Sequence, residues 1–260
     1  MYDLAALEAT LRNTDFAGKL HFSPVTGSTN TDALEAARAG APHGSVYLAD
    51  EQTAGRGRGD HKWQSDLGAG LYVSVLLRLA LPAARLPLLP LAAGLAAANA
   101  IQSAAGLAVD LRWPNDLLIG GSKTGGILVE SKPEGATAAF SVVGIGINVH
   151  QRNLDETLAT EATSLDLEAG RAISRHALLI SLLKSLEHEA LRLLDPAGRR
   201  AIPARVAQSS TWISGRHIEV HGPQACAGVT AGLDEEGFLL VNTAAGVVTV
   251  RTGGIRAATG

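Results

Sequence analysis

Residues 52–63 carry the groups best suited to binding an anion. Three glycines in this stretch alternate with Arg56 and Arg58. Exposed backbone N–H groups beside arginine form an anion-binding concavity, and guanidinium groups bind phosphate or carboxylate oxygens in a bidentate way. A glycine-rich backbone is entropically costly to hold in one conformation. The stretch therefore predicts a mobile lid that closes over a phosphorylated ligand, with a solvated hairpin tip as the alternative.

Lys123 is a second candidate for contact with an anion. It opens a predicted strand in which two glycines allow a ligand to approach the backbone closely. Residues 120–124 resemble a phosphate-binding P-loop, but Ser122 stands where that motif needs glycine, and a strand follows instead of a helix. Residues 144–146 resemble the start of a dinucleotide-binding fingerprint, but Val149 replaces its third glycine. We reject both motifs.

Ser28, Thr29 and Asn30 stand where a helix is predicted to begin, directly after a short strand. All three are common N-cap residues, and Asp32 follows Thr29 at the spacing of a capping box. The alternative is that the helix N-terminus presents hydroxyl and amide groups to a small ligand. From these residues alone, an ordinary helix start is the favoured interpretation.

The composition excludes several classes of protein. The 260 residues are 46% hydrophobic, which is enough for a sizeable core in one or two domains. The 22 Lys+Arg against 25 Asp+Glu leave a net charge of −3, which argues against a protein built to bind polyanions or anionic membranes. Cys226 stands alone, and the N-terminus lacks the pattern of a signal peptide, so we expect a cytoplasmic protein.

An uncharged run over residues 86–109 is long enough to cross a bilayer. It is rich in alanine and includes polar side chains such as Asn99, which are costly in lipid. We predict a buried helix over residues 88–105, closed by Gly106, and no membrane partner.

The order of the predicted elements indicates an α+β fold. Up to residue 208, hairpins alternate with helices, which predicts a domain over residues 1–208 with a mixed, largely antiparallel sheet. Residues 174–194 form an amphipathic helix ended by Asp195 and Pro196. Residues 209–260 contain short β runs separated by turns, which predicts a small all-β domain, a compact barrel.

Five motifs, in order, resemble those of the biotin protein ligase family. They are residues 27–30, the lid with its Gly-Arg-Gly-Arg core, Arg-Trp-Pro-Asn-Asp at 112–116, the Lys123 strand with Gly126 and Glu130, and Gly-x-Gly-x-Asn at 144–148. They span most of residues 20–150, and their order and spacing make a chance match improbable. The resemblance implies a class II synthetase-like catalytic domain followed by an SH3-like β-barrel.

The resemblance also implies a two-step reaction. The carboxylate of biotin attacks the α-phosphate of Mg²⁺–ATP to give biotinyl-AMP, and a lysine of the biotin carboxyl carrier protein of acetyl-CoA carboxylase then takes the acyl group. Joining two anions requires fixed cations at the α-phosphate. The implied catalytic residues are Lys123, Arg58 and Asp116, the last facing the acceptor lysine or the metal. No protein ligand to a metal is predicted.

Two overlapping sets of binding residues follow from the resemblance. The biotin-binding set is Ser28, Thr29, Asn30, Gln52, Arg56, Gly57, Arg58, Lys123 and Gly126. The nucleotide-binding set is Arg56, Arg58, Trp63, Asn115, Lys123 and Asn148. Within these sets, Ser28, Thr29 and Gln52 bind the ureido ring and valeryl end, and Trp63 closes against the adenine.

The chain departs from the family pattern after Arg58. Gly59, Asp60 and His61 stand where many relatives have further arginines, which lowers the positive charge over the intermediate. About 20 residues precede the first predicted strand, so we expect a ligase without an N-terminal DNA-binding domain and without DNA as a partner, either monomer or homodimer.

Two other functions are considered. A lipoate–protein ligase shares the fold and the acyl-adenylate chemistry, but the dithiolane ring of lipoate has no hydrogen-bonding groups for Ser28, Thr29 and Gln52. A nucleic-acid-binding protein could use the Arg-Gly stretch as a basic segment. The negative net charge and the 4% aromatic content count against that function.

Overall fold

A computed structural model describes residues 2–59, 61–135, 137–154 and 160–258. Six α-helices lie within these ranges. They are α1 (Leu4–Leu11), α2 (Thr29–Arg38), α3 (Leu88–Ala105), α4 (Leu165–Ala169), α5 (Arg175–Leu194) and α6 (Pro196–Gln208).

Twelve strands in the described ranges form two sheets. The large sheet contains β1 (Leu20–Thr26), β2 (Val46–Gln52), β3 (Gly70–Leu77), β4 (Asp110–Arg112), β5 (Asp116–Ile119), β6 (Ser122–Glu134) and β7 (Thr137–Asn148). The small sheet contains β8 (Ser214–His221), β9 (Cys226–Leu233), β10 (Leu239–Thr243), β11 (Gly246–Val250) and β12 (Gly254–Ala257).

The large sheet has the strand order β1-β2-β3-β7-β6-β5-β4. β1 pairs with β2 in parallel, and the other neighbouring pairs are antiparallel, which confirms the predicted mixed sheet. The small sheet is antiparallel, in the order β11-β10-β9-β8-β12, and confirms the predicted C-terminal β structure. The division into domains at residues 208 and 209 stays a prediction.

The two faces of the large sheet have different neighbours. On one face, alternate residues of β3 and β7, such as Val73 and Ile145, join the main core with α3 and α5. The next residues along each strand point to the opposite face. There, Leu76 and Val142 pack under α2 in a second, smaller cluster. The remaining part of this second face carries the site described below.

Helix α3 is the uncharged segment whose length could suit a membrane. By length and composition it could cross a bilayer, but 67% of it is buried inside the protein, where it packs against α5. Gly106 caps it in a left-handed conformation with φ +76°. The prediction of a buried core helix over these residues is confirmed.

The sequence interpretation missed helices α4 and α6 and strand β12. The pattern at Asp195 and Pro196 predicted the end of α5 but not the start of α6. Asp195 also accepts a hydrogen bond from the backbone N–H of Gly198 at 2.6 Å, and Pro196 occupies the first turn of α6. These residues therefore end one helix and begin the next, as proline at a helix start allows.

A buried ion pair holds α5 against α6. Both carboxylate oxygens of Glu189 accept hydrogen bonds from Arg205, at 2.6 and 2.7 Å. The Glu189 side chain is only 3% exposed and the Arg205 side chain 26%. Removing Arg205 therefore leaves a buried carboxylate without its cation.

We predict that Arg205→Ala lowers the free energy of unfolding by about 3 kcal/mol, the low end for breaking a buried pair, because water partly screens Arg205. Urea denaturation measures the difference. Arg200→Ala, at an exposed position of the same helix, is the control and should change stability by less than about 0.5 kcal/mol. Equal effects of the two substitutions would contradict the structural role of the pair.

Candidate ligand-binding cleft

A cleft of about 1350 Å³ opens on the second face of the large sheet. Its lining comes from β3, β6 and β7, from the lid (residues 52–63), from the turn at 113–115, and from small-sheet residues around 222 and 253. A pocket for one drug-sized ligand usually measures about 300–1,000 Å³. The cleft therefore has room for two small ligands side by side.

Glycines form much of the cleft floor. A Cβ atom on Gly144 would overlap the Oδ1 atom of Asn30, and one on Gly146 would lie 2.5 Å from Trp63 Nε1. On β6, a Cβ atom on Gly126 would lie 3.3 Å from Trp63 Cζ3. Gly144 and Gly146 must lack side chains so that Asn30 and Trp63 can lie directly on the sheet, and at Gly126 a side chain would require Trp63 to shift slightly.

An uncharged hydrogen-bonding group lies at one end of the cleft. The backbone N–H and the hydroxyl of Thr29 contact Gln52 Oε1 at 2.9 and 3.1 Å. The hydroxyl also lies 2.8 Å from Ser74 Oγ, and Ser74 donates to Asn30 Oδ1 at 2.6 Å. Gln52 Nε2 donates to Ser65 Oγ at 2.8 Å. The group therefore joins α2, β2 and β3 at the cleft floor.

The predicted capping box at the start of α2 is wrong. Ser28 is the N-cap, and within the residues that the structure describes its side chain makes no capping hydrogen bond. Asp32 accepts instead from Thr26 Oγ1 at 2.7 Å, while the Thr29 hydroxyl is directed to Gln52 and Ser74. The polar residues at this helix start also line the cleft, so they are placed where they could contact a ligand.

Three charged side chains form a cluster beside the floor. Asp116 Oδ1 lies 2.6 Å from Lys123 Nζ, and Asp116 Oδ2 lies 2.6 Å from Arg112 Nη2. Burial acts to raise the pKa of Asp116, but Lys123 and Arg112 outweigh it and hold this pKa below its ordinary value. Both carboxylate oxygens are engaged. The geometry supports a role for Asp116 in positioning Lys123, and the expected contact with an acceptor lysine or a metal stays a prediction.

The described part of the lid forms a short hairpin. Arg56 and Lys62 are bridged as in an antiparallel pair, and the backbone N–H of Gly57 donates to the carbonyl of His61 at 2.8 Å. Asp60, to which the reduced charge of the lid was partly attributed, lies outside the described residues.

The two lid arginines contact different partners. Arg56 Nη2 lies 2.6 Å from Glu130 Oε1 on β6. Arg58 Nη1 donates to the backbone carbonyl of Gly253, in the small sheet's loop, at 2.9 Å. Burial lowers the pKa of Arg58, and the nearby Asp116 partly offsets this. The lid is therefore fastened to both sheets.

Trp63 lies in the middle of the cleft, over the glycines of β6 and β7. Lys123 Nζ lies 5.5 Å from the centroid of its ring, within cation–π range. The indole Nε1 is buried and has no hydrogen-bond partner among the described residues. A buried donor of this kind is costly unless a ligand or water satisfies it.

Asn115 and Asn148 lie further along the cleft. Asn115 Nδ2 donates to the carbonyl of Ile127 at 2.8 Å, which holds the turn at 113–115 against β6. Asn148 Nδ2 donates to the carbonyl of Thr163 at 3.0 Å. Both amide nitrogens are engaged with the backbone, so the side chains are held in place at the cleft wall.

Comparison with known proteins identifies the family. The model of the biotin/lipoate A/B protein ligase family matches residues 22–148. The bifunctional ligase/repressor BirA of Bacillus subtilis is 36% identical over 232 residues, which cover 88% of this chain and 70% of BirA. The chain belongs to the biotin protein ligase family.

Two further relatives agree with this membership. The biotin–[acetyl-CoA-carboxylase] ligase of Paracoccus denitrificans is 34% identical over 232 residues, covering 85% of this chain and 93% of the relative. The biotin protein ligase of Aquifex aeolicus, solved in complex with biotin and ATP, superposes with a TM-score of 0.80 at 28% identity, covering 93% of this chain and 100% of that one. Its fold, like this one, is α+β.

All of the predicted site residues of this biotin protein ligase family member line the same cleft. They are Ser28, Thr29, Asn30, Gln52, Arg56, Gly57, Arg58, Trp63, Asn115, Asp116, Lys123, Gly126 and Asn148. Their individual roles stay predictions.

The sequence interpretation assigned no role to several residues of the cleft. Ser74, fully buried on β3, links Thr29 to Asn30. Its signal is a single serine in a strand otherwise rich in valine and leucine. Arg112 and Glu130 belong to the quoted motifs, but only the structure shows what they pair with.

The Asp116 cluster predicts a pH dependence of stability. Because the pKa of Asp116 is lowered in the folded state, its stabilising effect is present above the ordinary aspartate pKa of about 3.9 and is lost as pH falls through the folded-state pKa. Asp116→Asn should therefore be less stable than wild type at pH 7, with the difference shrinking below about pH 4. Urea denaturation between pH 7 and 3 measures it.

Glu235→Gln, at an exposed carboxylate outside the cleft, is the control and should not change the shape of the pH profile. A constant difference between wild type and Asp116→Asn across this range would contradict the coupling.

Proposed function

We propose that this protein joins biotin to ATP, forming biotinyl-AMP and pyrophosphate, and then transfers the biotinyl group to a lysine of a biotin carboxyl carrier protein. The carrying observation is the order of groups along β7. Asn30 lies at Gly144, with Thr29 beside it on Ser74, the β3 partner of Gly144. Trp63 lies at Gly146, Lys123 lies beside Trp63 and Gly126, the β6 partner of Gly146, and Asn148 follows. At about 3.4 Å per residue, Gly144 and Asn148 are about 14 Å apart.

The uncharged end suits the ureido ring of biotin. A ureido group offers two N–H donors and one carbonyl acceptor, and Ser28, Thr29 and Gln52 supply hydroxyl and amide partners for it. Ser28 and Thr29 are buried and Gln52 is half-buried, so a ring without hydrogen-bonding groups would exclude water from them without offering a new hydrogen bond, at a cost in binding free energy. This contrast supports biotin over lipoate.

The middle of the cleft suits the first chemical step. A carboxylate oxygen of biotin bonds to the α-phosphorus of ATP, and the bond to the β-phosphate bridging oxygen breaks, so pyrophosphate leaves with the electron pair. Lys123, fixed by Asp116, and Arg58 in the lid place positive charge where negative charge increases. The closed lid excludes water from the mixed anhydride.

In the second step, the neutral amine of the acceptor lysine attacks the acyl carbon. The acyl–phosphate bond breaks, AMP leaves, and the amine loses a proton as the amide forms. The ionised Asp116 is a weak base because its pKa is lowered, so we assign it to holding Lys123 and not to accepting this proton.

The far end of the cleft suits the nucleotide. Asn115 and Asn148 are held at the cleft wall by hydrogen bonds to backbone carbonyls, and Trp63 offers an aromatic face for the adenine. Trp63 Nε1 is an unsatisfied donor that a ligand could engage.

Magnesium belongs to this proposal as part of the substrate Mg²⁺–ATP. Mg²⁺ is commonly held by phosphate oxygens with one or two carboxylates. Among the described residues, no group of three or more His, Cys, Asp or Glu side chains could hold a metal ion, and both oxygens of Asp116 are engaged. We therefore assign the ion to the ATP phosphates.

We predict that Lys123→Ala reduces pyrophosphate formation by about 10²- to 10³-fold, because it removes a fixed charge that acts in the transition state. Biotin-dependent ATP–pyrophosphate exchange measures this effect. Lys132→Ala, an exposed lysine on the same strand, is the control and should retain the wild-type rate. A Lys123→Ala rate within about twofold of wild type would refute the assignment.

Biotin with ATP should stabilise the fold more than lipoate with ATP. Free ligand at about 100 times its dissociation constant adds about 2.7 kcal/mol, which for a chain of this size corresponds to a melting-temperature shift of about 5 to 11 °C. Thermal scans with each acid plus ATP, and with ATP alone, measure this. A larger shift with lipoate would replace the biotin assignment by a lipoate ligase.

A further inference from the structure

A continuous hydrogen-bonded relay begins and ends in the lid. Its members, in order, are Gln52, Thr29, Ser74, Asn30, Glu130 and Arg56. The Thr29 backbone N–H donates to Gln52 Oε1 at 2.9 Å, and the side-chain links from Thr29 onward measure 2.8, 2.6, 2.9 and 2.6 Å. Gln52 opens the lid and Arg56 lies within it, so the relay joins two points of the lid through the floor of the cleft.

Glu130 sets the direction of every proton in the relay. Its carboxylate only accepts, so Asn30 Nδ2 and Arg56 Nη2 both donate to it. The Asn30 oxygen then faces Ser74, whose one proton is used there. Ser74 must in turn accept from Thr29. The Thr29 oxygen consequently keeps acceptor capacity for a ligand N–H.

The Glu130–Arg56 contact should contribute little to the stability of the fold. The Arg56 side chain is 43% exposed and the Glu130 side chain 26%. Exposed ion pairs contribute about 0 to 1 kcal/mol to stability. The other partner of Glu130 is different, because Asn30 is only 4% exposed and is directed into the floor. Glu130 thus links an exposed lid residue to a buried residue at the uncharged end.

We propose that Glu130 is a positioning residue that couples occupancy of the uncharged end of the cleft to closure of the lid. This inference rests on the proposed function, in which the uncharged end takes the ureido ring. A ring N–H bound to Thr29 fixes the side chains from Thr29 to Asn30 in this hydrogen-bonded arrangement. Glu130 is thereby held in the position in which it binds Arg56 of the closed lid. Ligand binding and lid closure then favour each other by the same factor.

Glu130→Gln is the variant that tests this proposal most directly, because both partners of Glu130 are hydrogen-bond donors. The amide of glutamine offers one oxygen and one N–H₂ group, so it can accept from Asn30 or from Arg56 but not from both. Size and shape are retained. Glu134→Gln makes the same change at an exposed position of the same strand and is the matched control.

The experiment follows trypsin cleavage after Arg58 and Lys62 by mass spectrometry, with and without saturating biotin, in the absence of ATP. Calorimetry gives the biotin dissociation constant of each variant, and thermal scans show that each is folded. Wild type and Glu134→Gln should be protected by biotin. Glu130→Gln should bind biotin about tenfold more weakly, as expected for losing a hydrogen bond to a charged group, and should lose protection even when saturated.

Arg56→Gln provides a second route to the same test. It removes the same contact with Glu130 from the lid side, so protection by biotin should be lost, and by the same reciprocity biotin should bind more weakly than it does to wild type. Combining Glu130→Gln with Arg56→Gln should make the lid no more sensitive to trypsin than either substitution alone, because both substitutions remove the same contact.

The outcomes separate the two proposals. Full protection of Glu130→Gln at saturating biotin, or a wild-type lid that is equally resistant with and without biotin, would overturn the coupling and leave the proposed function intact. Wild-type protein that binds no biotin would overturn the proposed function, and the coupling with it.

Discussion

The site depends on an open strip of sheet surface at Gly126, Gly144 and Gly146. Because these residues have no side chains, Asn30 and Trp63 lie directly on the strands. The opposite face of the same strands carries Ile127 and Ile145 in the main core. One face of the sheet thus anchors the fold while the other face remains accessible to ligand. A side chain at Gly144 or Gly146 would collide with Asn30 or Trp63 and displace that residue from the cleft floor.

Unbalanced charge lies at one part of this strip, because Glu130 near Asn30 is paired with Arg56. Lys123 and Arg112 are both paired with Asp116, which leaves one net positive charge at a fixed place beside Trp63. The neighbouring hydroxyl and amide groups of Thr29, Ser74 and Asn30 are uncharged and satisfy one another. A molecule with a polar, uncharged ring and an anionic end matches this separation, and its anionic end is directed toward the cation.

Much of this arrangement could be predicted from the sequence, because the chemistry lies in short motifs. The lid, the Lys123 strand and the core helix α3 follow from local patterns of glycine, charge and alanine. Contacts between distant segments could not be predicted in this way. The Ser74 hydroxyl joins α2 to β3 only because the two elements meet in the fold, and Asp116 points at Lys123 rather than outward. Helix α6 was missed because one Asp-Pro pair both ends α5 and begins α6.

The contact between Arg58 and the small sheet uses a backbone carbonyl, that of Gly253. A carbonyl acceptor is present whatever residue occupies the position, which at first suggests that many residues would be tolerated there. Gly253, however, has φ +126°, and a Cβ atom on it would collide with the carbonyl of His221. Mutational tolerance at this position is therefore set by backbone conformation, and substitutions there should alter lid behaviour without touching any charged group.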